Sequence, residues 1–124
     1  MNRCTSESVS YSVLNVDRGV TVARQVRVAS TSRDRRTGLL GVDRLAEDAG
    51  LWIVPCEAIH TFGMKVPIDV LFLDKEFRIR KLLGSVIPWR IGLCLRASSV
   101  LELAAGAAAR SSTRVGDRLT FERI

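Results

Sequence analysis

The sequence predicts a mainly β, single-domain protein, either a jelly-roll-like sandwich or a partly open barrel of about seven or eight short strands. One observation behind this prediction is that short stretches alternate between apolar and polar residues, as in residues 118–124. Another is that turn-forming residues recur about every ten positions. With 47% hydrophobic residues in a chain of 124, a core can form without metal or disulfide bonds.

The N-terminal part predicts a β-hairpin. Residues 9–16 and 20–28 both alternate as strands do, and Asp17-Arg18-Gly19 between them is typical of a tight turn. Arg24 interrupts the apolar face of the second strand. We therefore expect either a β-bulge at Arg24 or a solvent-facing end of the strand.

Two short helical segments are predicted. Thr31-Ser32-Arg33-Asp34 has the spacing of a capping box, in which a hydroxyl precedes a carboxylate by three residues. One short helix is therefore expected near 32–40, ending at Gly41. A second helical turn is expected near 104–112, where alanines predominate and Gly106 interrupts them.

The remaining strands are predicted from short apolar stretches bounded by proline, glycine and aspartate. They cover residues 51–54, 61–64, 68–73, 77–82, 93–103 and 118–124. Because residues 68–73 are almost continuously apolar, we expect that strand to be buried on both faces. The expected organisation is a flexible N-terminus over residues 1–8 and one β domain over residues 9–124.

Charge and cysteine content limit the classes of function and the cellular locations that the sequence favours. The net charge is +6, but the arginines are spread along the chain, which favours a solvated basic surface over a nucleic-acid site. No apolar run approaches the length of a membrane span, and no signal peptide is visible. The three cysteines, Cys4, Cys56 and Cys94, lack C-x-x-C spacing. We therefore expect free thiols and a cytoplasmic location.

Several segments together resemble the bacterial and archaeal DUF192 family, over roughly residues 10–124. They are Arg36-Thr-Gly-Leu39, Gly50-Leu-Trp-Ile53, Ile59-His-Thr-Phe-Gly-Met-Lys-Val-Pro-Ile-Asp-Val-Leu-Phe-Leu-Asp74, Val100-Leu-Glu-Leu-Ala-Ala-Gly106 and Val115-Gly-Asp117. The resemblance implies a jelly-roll-like β-sandwich with one short helix after the second strand. It implies no established enzyme activity, cofactor or substrate.

Six polar or large side chains are candidate site residues, and four of them lie within residues 56–74. The six are His60, Met64, Lys65, Asp69, Trp89 and Glu102. His60 is the candidate base, because histidine is the side chain best suited to acid–base chemistry at physiological pH, or it closes a loop by bonding to backbone. Lys65 and Asp69 are four apart in an extended segment, so an ion pair between them is expected, with an anion site as the alternative.

The other three candidates carry their own alternatives. Met64 fills the core or contacts a ligand, and Trp89 either packs on the sheet edge or stacks on a ligand. Glu102 faces away from its neighbours Leu101 and Leu103. By default this side faces solvent, but if it faces inward, Glu102 joins the polar set of the candidate site. Cys56-x3-His60 would supply two of the four ligands of a structural zinc site, and the sequence offers no matching second pair. We therefore predict no metal and no cofactor.

Three functions follow from these residues. The leading one is a non-catalytic ligand-binding or accessory module with its site around His60, Lys65 and Asp69, whose partner is a small molecule or a protein. The alternative is a hydrolase in which His60 is the general base and Asp69 orients it. The second alternative is binding of nucleic acid or another polyanion through the basic surface. Nothing in the sequence predicts the oligomeric state.

Overall fold

A computed structural model describes residues 9–124, so the predicted flexible N-terminus over residues 1–8 lies outside the described residues. Nine strands and two short helices occur within residues 9–124. They are β1 Ser10–Asn15, β2 Val20–Ala29, α1 Ser32–Thr37, β3 Ala49–Ile53, β4 Ala58–His60, β5 Ile68–Leu73, β6 Ile79–Val86, β7 Ile91–Leu93, β8 Ser99–Ala104, α2 Ala107–Arg110 and β9 Leu119–Arg123. Neither helix in this part of the chain is long enough to cross a membrane.

Seven strands form one curled sheet in the order β6-β5-β8-β3-β2-β1-β9. Neighbouring strands are antiparallel, except that β3 runs parallel to β2, so residues 30–48 cross over the sheet between them. At one end, the edge strands meet through an antiparallel bridge between Arg78 and Arg118. There the Ile79 amide donates to the Asp117 carbonyl at 2.9 Å. This half-barrel confirms the predicted mainly β, partly open barrel.

The sheet has an apolar cluster on each face. The inner cluster, which includes Val26, Leu71 and Leu101, fills the half-barrel. The outer cluster, which includes Val70 and Val100, lies beneath the crossover segment and the small ribbon of β4 and β7. All six residues of β5 and all six of β8 are buried. The predicted burial of residues 68–73 on both faces is therefore confirmed.

Residues close to one another in the sequence determine the ends of α1 and the bulge in β2. The Thr31 side chain caps α1 by accepting from the Asp34 amide at 3.0 Å, as the capping box predicts. The helix ends at Thr37, earlier than the predicted Gly41, because Gly38 has a φ of 50° and its amide closes the last turn. In β2, the register with β1 shifts on both sides of Val13, and Arg24 is exposed at the bulge.

Two strand predictions are wrong. The strand predicted over 61–64 is absent, and β4 lies at 58–60 instead, because Thr61 is buried and ends the ribbon. Its hydroxyl donates to the Ile87 carbonyl and accepts from the Arg90 amide, both at 2.8 Å. The continuous strand predicted over 93–103 is two strands, β7 and β8. Residues 94–98 separate them where the chain passes from the ribbon to the main sheet.

Candidate functional site

A pocket of about 570 Å³ opens on the outer face of the sheet. Its floor is β8, one wall is α1 with the loop that follows it, and the other wall is the connection from β3 to β4. The crossover positions α1 here because the chain must pass over this face to bring β3 parallel to β2. Leu39, Ile53, Ile59 and Met64 give the pocket apolar walls.

Glu102 lies on the floor of the pocket. It projects from β8 between Leu51 of β3 and Val70 of β5, its partners on the adjacent strands, and only 4% of it is exposed. No other described residue forms a hydrogen bond or an ion pair with its carboxyl group. Burial among apolar neighbours raises the pKa of Glu102 to about 7. The default expectation of a solvent-facing Glu102 is therefore wrong, because this face of β8 is covered.

Cys56 lies on the pocket wall near Glu102. Its thiol donates to the Ala58 carbonyl at 3.1 Å. Burial raises the pKa of the Cys56 thiol, although the backbone hydrogen bond acts in the opposite direction. The thiol therefore stays protonated at neutral pH, and a protonated thiol is a poor nucleophile.

The mouth of the pocket is basic. Arg35 and Arg36, in the last turn of α1, both line it. Arg35 is partly buried and donates to the Ser30 carbonyl at 2.9 Å, whereas Arg36 is exposed and has no polar partner among the described residues. His60, at the end of β4, is the third nitrogen-bearing side chain at the mouth.

His60 begins a row of aromatic rings beside the mouth. Its Nδ1 accepts from the Phe62 amide at 3.2 Å, which is the loop-closing role considered for it. The His60 and Phe62 ring centroids are 5.2 Å apart, and those of Phe62 and Trp89 are 5.6 Å apart. Trp89 is 67% exposed, so it does not pack into the core. The row leaves one Trp89 face available for stacking.

Lys65 and Asp69 lie outside the pocket. Lys65 is exposed and pairs with Asp43, with 3.1 Å between Nζ and Oδ1. The predicted Lys65–Asp69 ion pair is wrong, because Asp69 is buried on the inner face of the sheet, opposite Leu103. The Asp69 carboxylate is also fully engaged. It accepts from the amides of Ser85, Gly106 and Ala108 at 2.7, 3.1 and 2.9 Å.

The structure thus brings together three of the six candidates, His60, Met64 and Glu102, and places Trp89 next to them through Phe62. Sequence reasoning missed Arg35 and Arg36. The capping box predicts the helix that carries them, but it does not reveal that this helix lies over the outer face of the sheet. No cluster of three or more histidine, cysteine or acidic side chains suited to a metal ion occurs in the described part of the chain.

Together, the curled sheet, the crossover helix and the pocket on the outer face define a small mainly β protein of the partly open barrel class. The chain belongs to the DUF192 family, described as Uncharacterized ACR, whose sequence profile matches residues 13–121. The chain is similar to a UPF0127 protein of Pyrococcus horikoshii. That protein is 29% identical over 115 residues, which cover 88% of this chain and 97% of the relative.

Two solved structures share the fold. A putative transcription regulator from Sinorhizobium meliloti 1021 superimposes with a TM-score of 0.80 and is 25% identical, over 91% of this chain and 92% of that one. A protein of unknown function from Novosphingobium aromaticivorans also gives a TM-score of 0.80, at 18% identity, over 97% of this chain and 90% of that one. The second likeness shows the fold alone.

Proposed function

We propose that this protein is a non-catalytic small-molecule-binding module whose ligand occupies the pocket above Glu102. One observation carries the proposal: a buried carboxyl group faces a cavity of about 570 Å³ and has no polar partner among the described residues. Buried polar groups are almost always hydrogen-bonded, and leaving one unpaired costs about 1–3 kcal/mol. Ligand pockets have volumes of about 300–1,000 Å³.

The pocket residues favour binding over hydrolysis. A general base needs an orienting partner, but the Asp69 oxygens bond to three backbone amides on the other face of the sheet. Because the Nδ1 of His60 accepts from the Phe62 amide, it has no proton to donate to an orienting carboxylate. The raised pKa of Cys56 argues against a thiolate nucleophile.

The test uses Met64, which lines the pocket. With methyl-¹³C methionine, the chain gives two signals, because the other methionine is Met1. We expect at least one compound from a panel of amino acids, peptides, sugars, nucleotides and simple anions to shift the Met64 signal and raise the unfolding temperature. Glu102→Gln should weaken that binding. Glu122→Gln, which makes the same change on β9, is the matched control.

The proposal is wrong if no compound in the panel shifts the Met64 methyl signal. It is also wrong if Glu102→Gln, like the control Glu122→Gln, leaves the affinity of every binding compound unchanged. We further propose a cytoplasmic location, which is supported by the free thiols of Cys56 and Cys94.

Nucleic-acid binding is the second candidate. The stacked rings of Phe62 and Trp89, next to the exposed Arg90, resemble the platforms on which single-stranded bases stack. The description of the Sinorhizobium structure as a putative transcription regulator also favours this candidate. A mobility-shift assay with single-stranded and duplex DNA at about 50 and 200 mM salt tests it. Trp89→Ala should weaken single-strand binding, and absence of binding at low salt removes the candidate.

A further inference from the structure

The floor and the mouth of the pocket favour ligand groups of opposite character. On the floor, the Glu102 carboxyl group lies between Leu51 and Val70, and no other described side chain bonds to it. Its ionised form only accepts hydrogen bonds, so a cationic or N–H-bearing ligand group satisfies that form and favours it. The thiol of Cys56, on the pocket wall, already donates to the Ala58 carbonyl. The floor therefore favours a ligand group rich in N–H donors.

The mouth favours an anion. Arg35 forms one hydrogen bond, to the Ser30 carbonyl, and its other guanidinium N–H groups remain for a ligand. Arg36 and His60 stand at the same mouth. Among the described residues, Glu102 on the floor is the one acidic side chain that lines the pocket. Guanidinium groups bind carboxylates and phosphates through two parallel N–H···O bonds.

The walls between the floor and the mouth are apolar. Leu39, Ile53 and Met64 are each buried and line this middle zone. Such a wall binds an aliphatic or aromatic group and rejects a charged one. The lining thus combines a buried carboxyl group, buried apolar side chains and more exposed basic side chains.

We infer that the ligand is an amphoteric small molecule with an N–H donor head on Glu102, an apolar or aromatic middle against the wall, and a carboxylate or phosphate tail at Arg35 and Arg36. This inference rests on the proposed function and specifies its ligand class. Two kinds of molecule share this chemistry. One is a short peptide with a free ammonium and a free carboxylate, and the other is a purine nucleotide whose base carries several N–H donors.

The experiment compares matched ligands on the wild-type protein. The peptide series is leucyl-leucine, its N-acetyl form without the head, and its C-terminal amide without the tail. The nucleotide series is guanosine monophosphate, inosine monophosphate with fewer donors, and guanosine without the tail. Titrations followed by the Met64 methyl signal give each affinity. We expect the complete ligand of at least one series to bind roughly tenfold or more tightly than its headless or donor-depleted analogue.

Protein variants test which residues bind the head of the ligand and which bind its tail. Glu102→Gln should abolish the preference for the head-bearing ligand. The double variant Arg35→Gln and Arg36→Gln should abolish the preference for the tail-bearing ligand, by a smaller factor, because these guanidinium groups are more exposed and are screened by salt. Glu122→Gln and Arg123→Gln repeat the same changes on β9 as controls.

The possible outcomes separate this inference from the proposed function. Binding of one series alone identifies the source of the ligand. If neutral sugars or simple anions shift Met64 while neither complete ligand binds better than its analogues, the inference is overturned and the proposed function stands. If no compound of any class shifts Met64, both are overturned. Because the ligand series is measured on the wild-type protein, the inference can be tested even if a variant does not fold.

Discussion

Asp69 and Glu102 are buried carboxyl groups on the adjacent strands β5 and β8, and their surroundings give them different roles. Asp69 faces the inner cluster and accepts from three backbone amides, so it joins β6 and α2 to β5. Glu102 faces the outer cluster and accepts from no described residue. The hydrogen-bonding capacity of Asp69 is used within the fold, whereas that of Glu102 remains for a ligand.

Glu102 should make the stability of the protein depend on pH. Its pKa is near 4.5 in the unfolded chain and about 7 in the folded protein. Below the unfolded pKa, both states hold the proton and the fold is not penalised. As the pH rises to about 7, the unfolded chain loses the proton first, so stability falls by up to about 3 kcal/mol.

Urea unfolding from pH 5 to pH 8 tests this expectation. Glu102→Gln should flatten the decrease and be more stable than wild type at pH 8. Comparing the two proteins cancels the contributions of the other titratable or charged groups at the pocket, namely Cys56, His60, Arg35 and Arg36. Parallel stability profiles for wild type and Glu102→Gln would show that Glu102 is not the group responsible.

At the scale of single residues, the sequence indicated which side chains could take part in chemistry but not which face of the sheet they occupy. The close spacing of His60, Lys65 and Asp69, five and then four residues apart, suggested one site. The turn after β4, with Gly63 at a φ of 78°, changes the direction of the chain between them. Only the three-dimensional path separates Asp69 from His60.

At the scale of single elements, two glycines mark places where strands approach closely. A Cβ at Gly50 in β3 would lie 2.7 Å from the Glu102 backbone oxygen. A Cβ at Gly92 in β7 would lie 2.8 Å from the Leu83 Cδ1 and 3.4 Å from the Phe72 Cζ. The first contact involves the backbone of a central strand, whereas the closest atom in the second is the end of a flexible side chain.

Alanine substitutions should therefore have unequal effects. Gly50→Ala should lower the free energy of unfolding by roughly 2–3 kcal/mol, because β3 must move away from β8 to relieve the overlap. Gly92→Ala should cost less, roughly 1 kcal/mol, because Leu83 can adopt another rotamer. Equilibrium urea unfolding measures both. Equal losses for the two variants would contradict this account of the contacts.

Elements defined by local patterns were predictable, and those defined by distant partners were not. The hairpin, the bulge at Arg24 and the cap at Thr31 follow from residues a few positions apart. The three-residue strand β4 exists because it pairs with β7, about thirty residues later in the chain. Such a short strand has no periodicity of its own, so the sequence could not reveal its position.

For the whole molecule, the double-sided burial of the central strands predicts a gradient of local stability. β5 and β8 each pair on both sides and are buried throughout. The β4–β7 ribbon has two strands only, and Ile91 in it is 70% exposed. Backbone amides in a two-stranded ribbon open to solvent more readily than those in the centre of a sheet.

Native-state hydrogen exchange should show this gradient. Amides of Leu71 and Leu101 should exchange only through global unfolding, with a urea dependence that matches equilibrium unfolding. Amides of Ile59 and Gly92 should exchange through local opening, with little dependence on urea. If both groups exchange with the same free energy and the same urea dependence, the ribbon is part of the central cooperative unit.

The fold class and family were predictable because apolar alternation and the family segments extend over nearly the whole chain. The pocket was not predictable in the same way. It arises because the crossover carries α1 over the outer face of β8, and that placement depends on the parallel pairing of β2 with β3. No local pattern encodes the pairing of strands separated by a crossover.

The two tryptophans lie in opposite surroundings, and this gives the protein a built-in optical reporter. Trp52 stacks on Phe121 inside the half-barrel, with ring centroids 4.1 Å apart. Trp89 stands in solvent beside the pocket mouth. Their fluorescence emission therefore separates by wavelength, with Trp52 emitting to the blue and Trp89 to the red. Integrity of the barrel at Trp52 and changes beside the pocket mouth at Trp89 can thus be followed in one unlabelled sample.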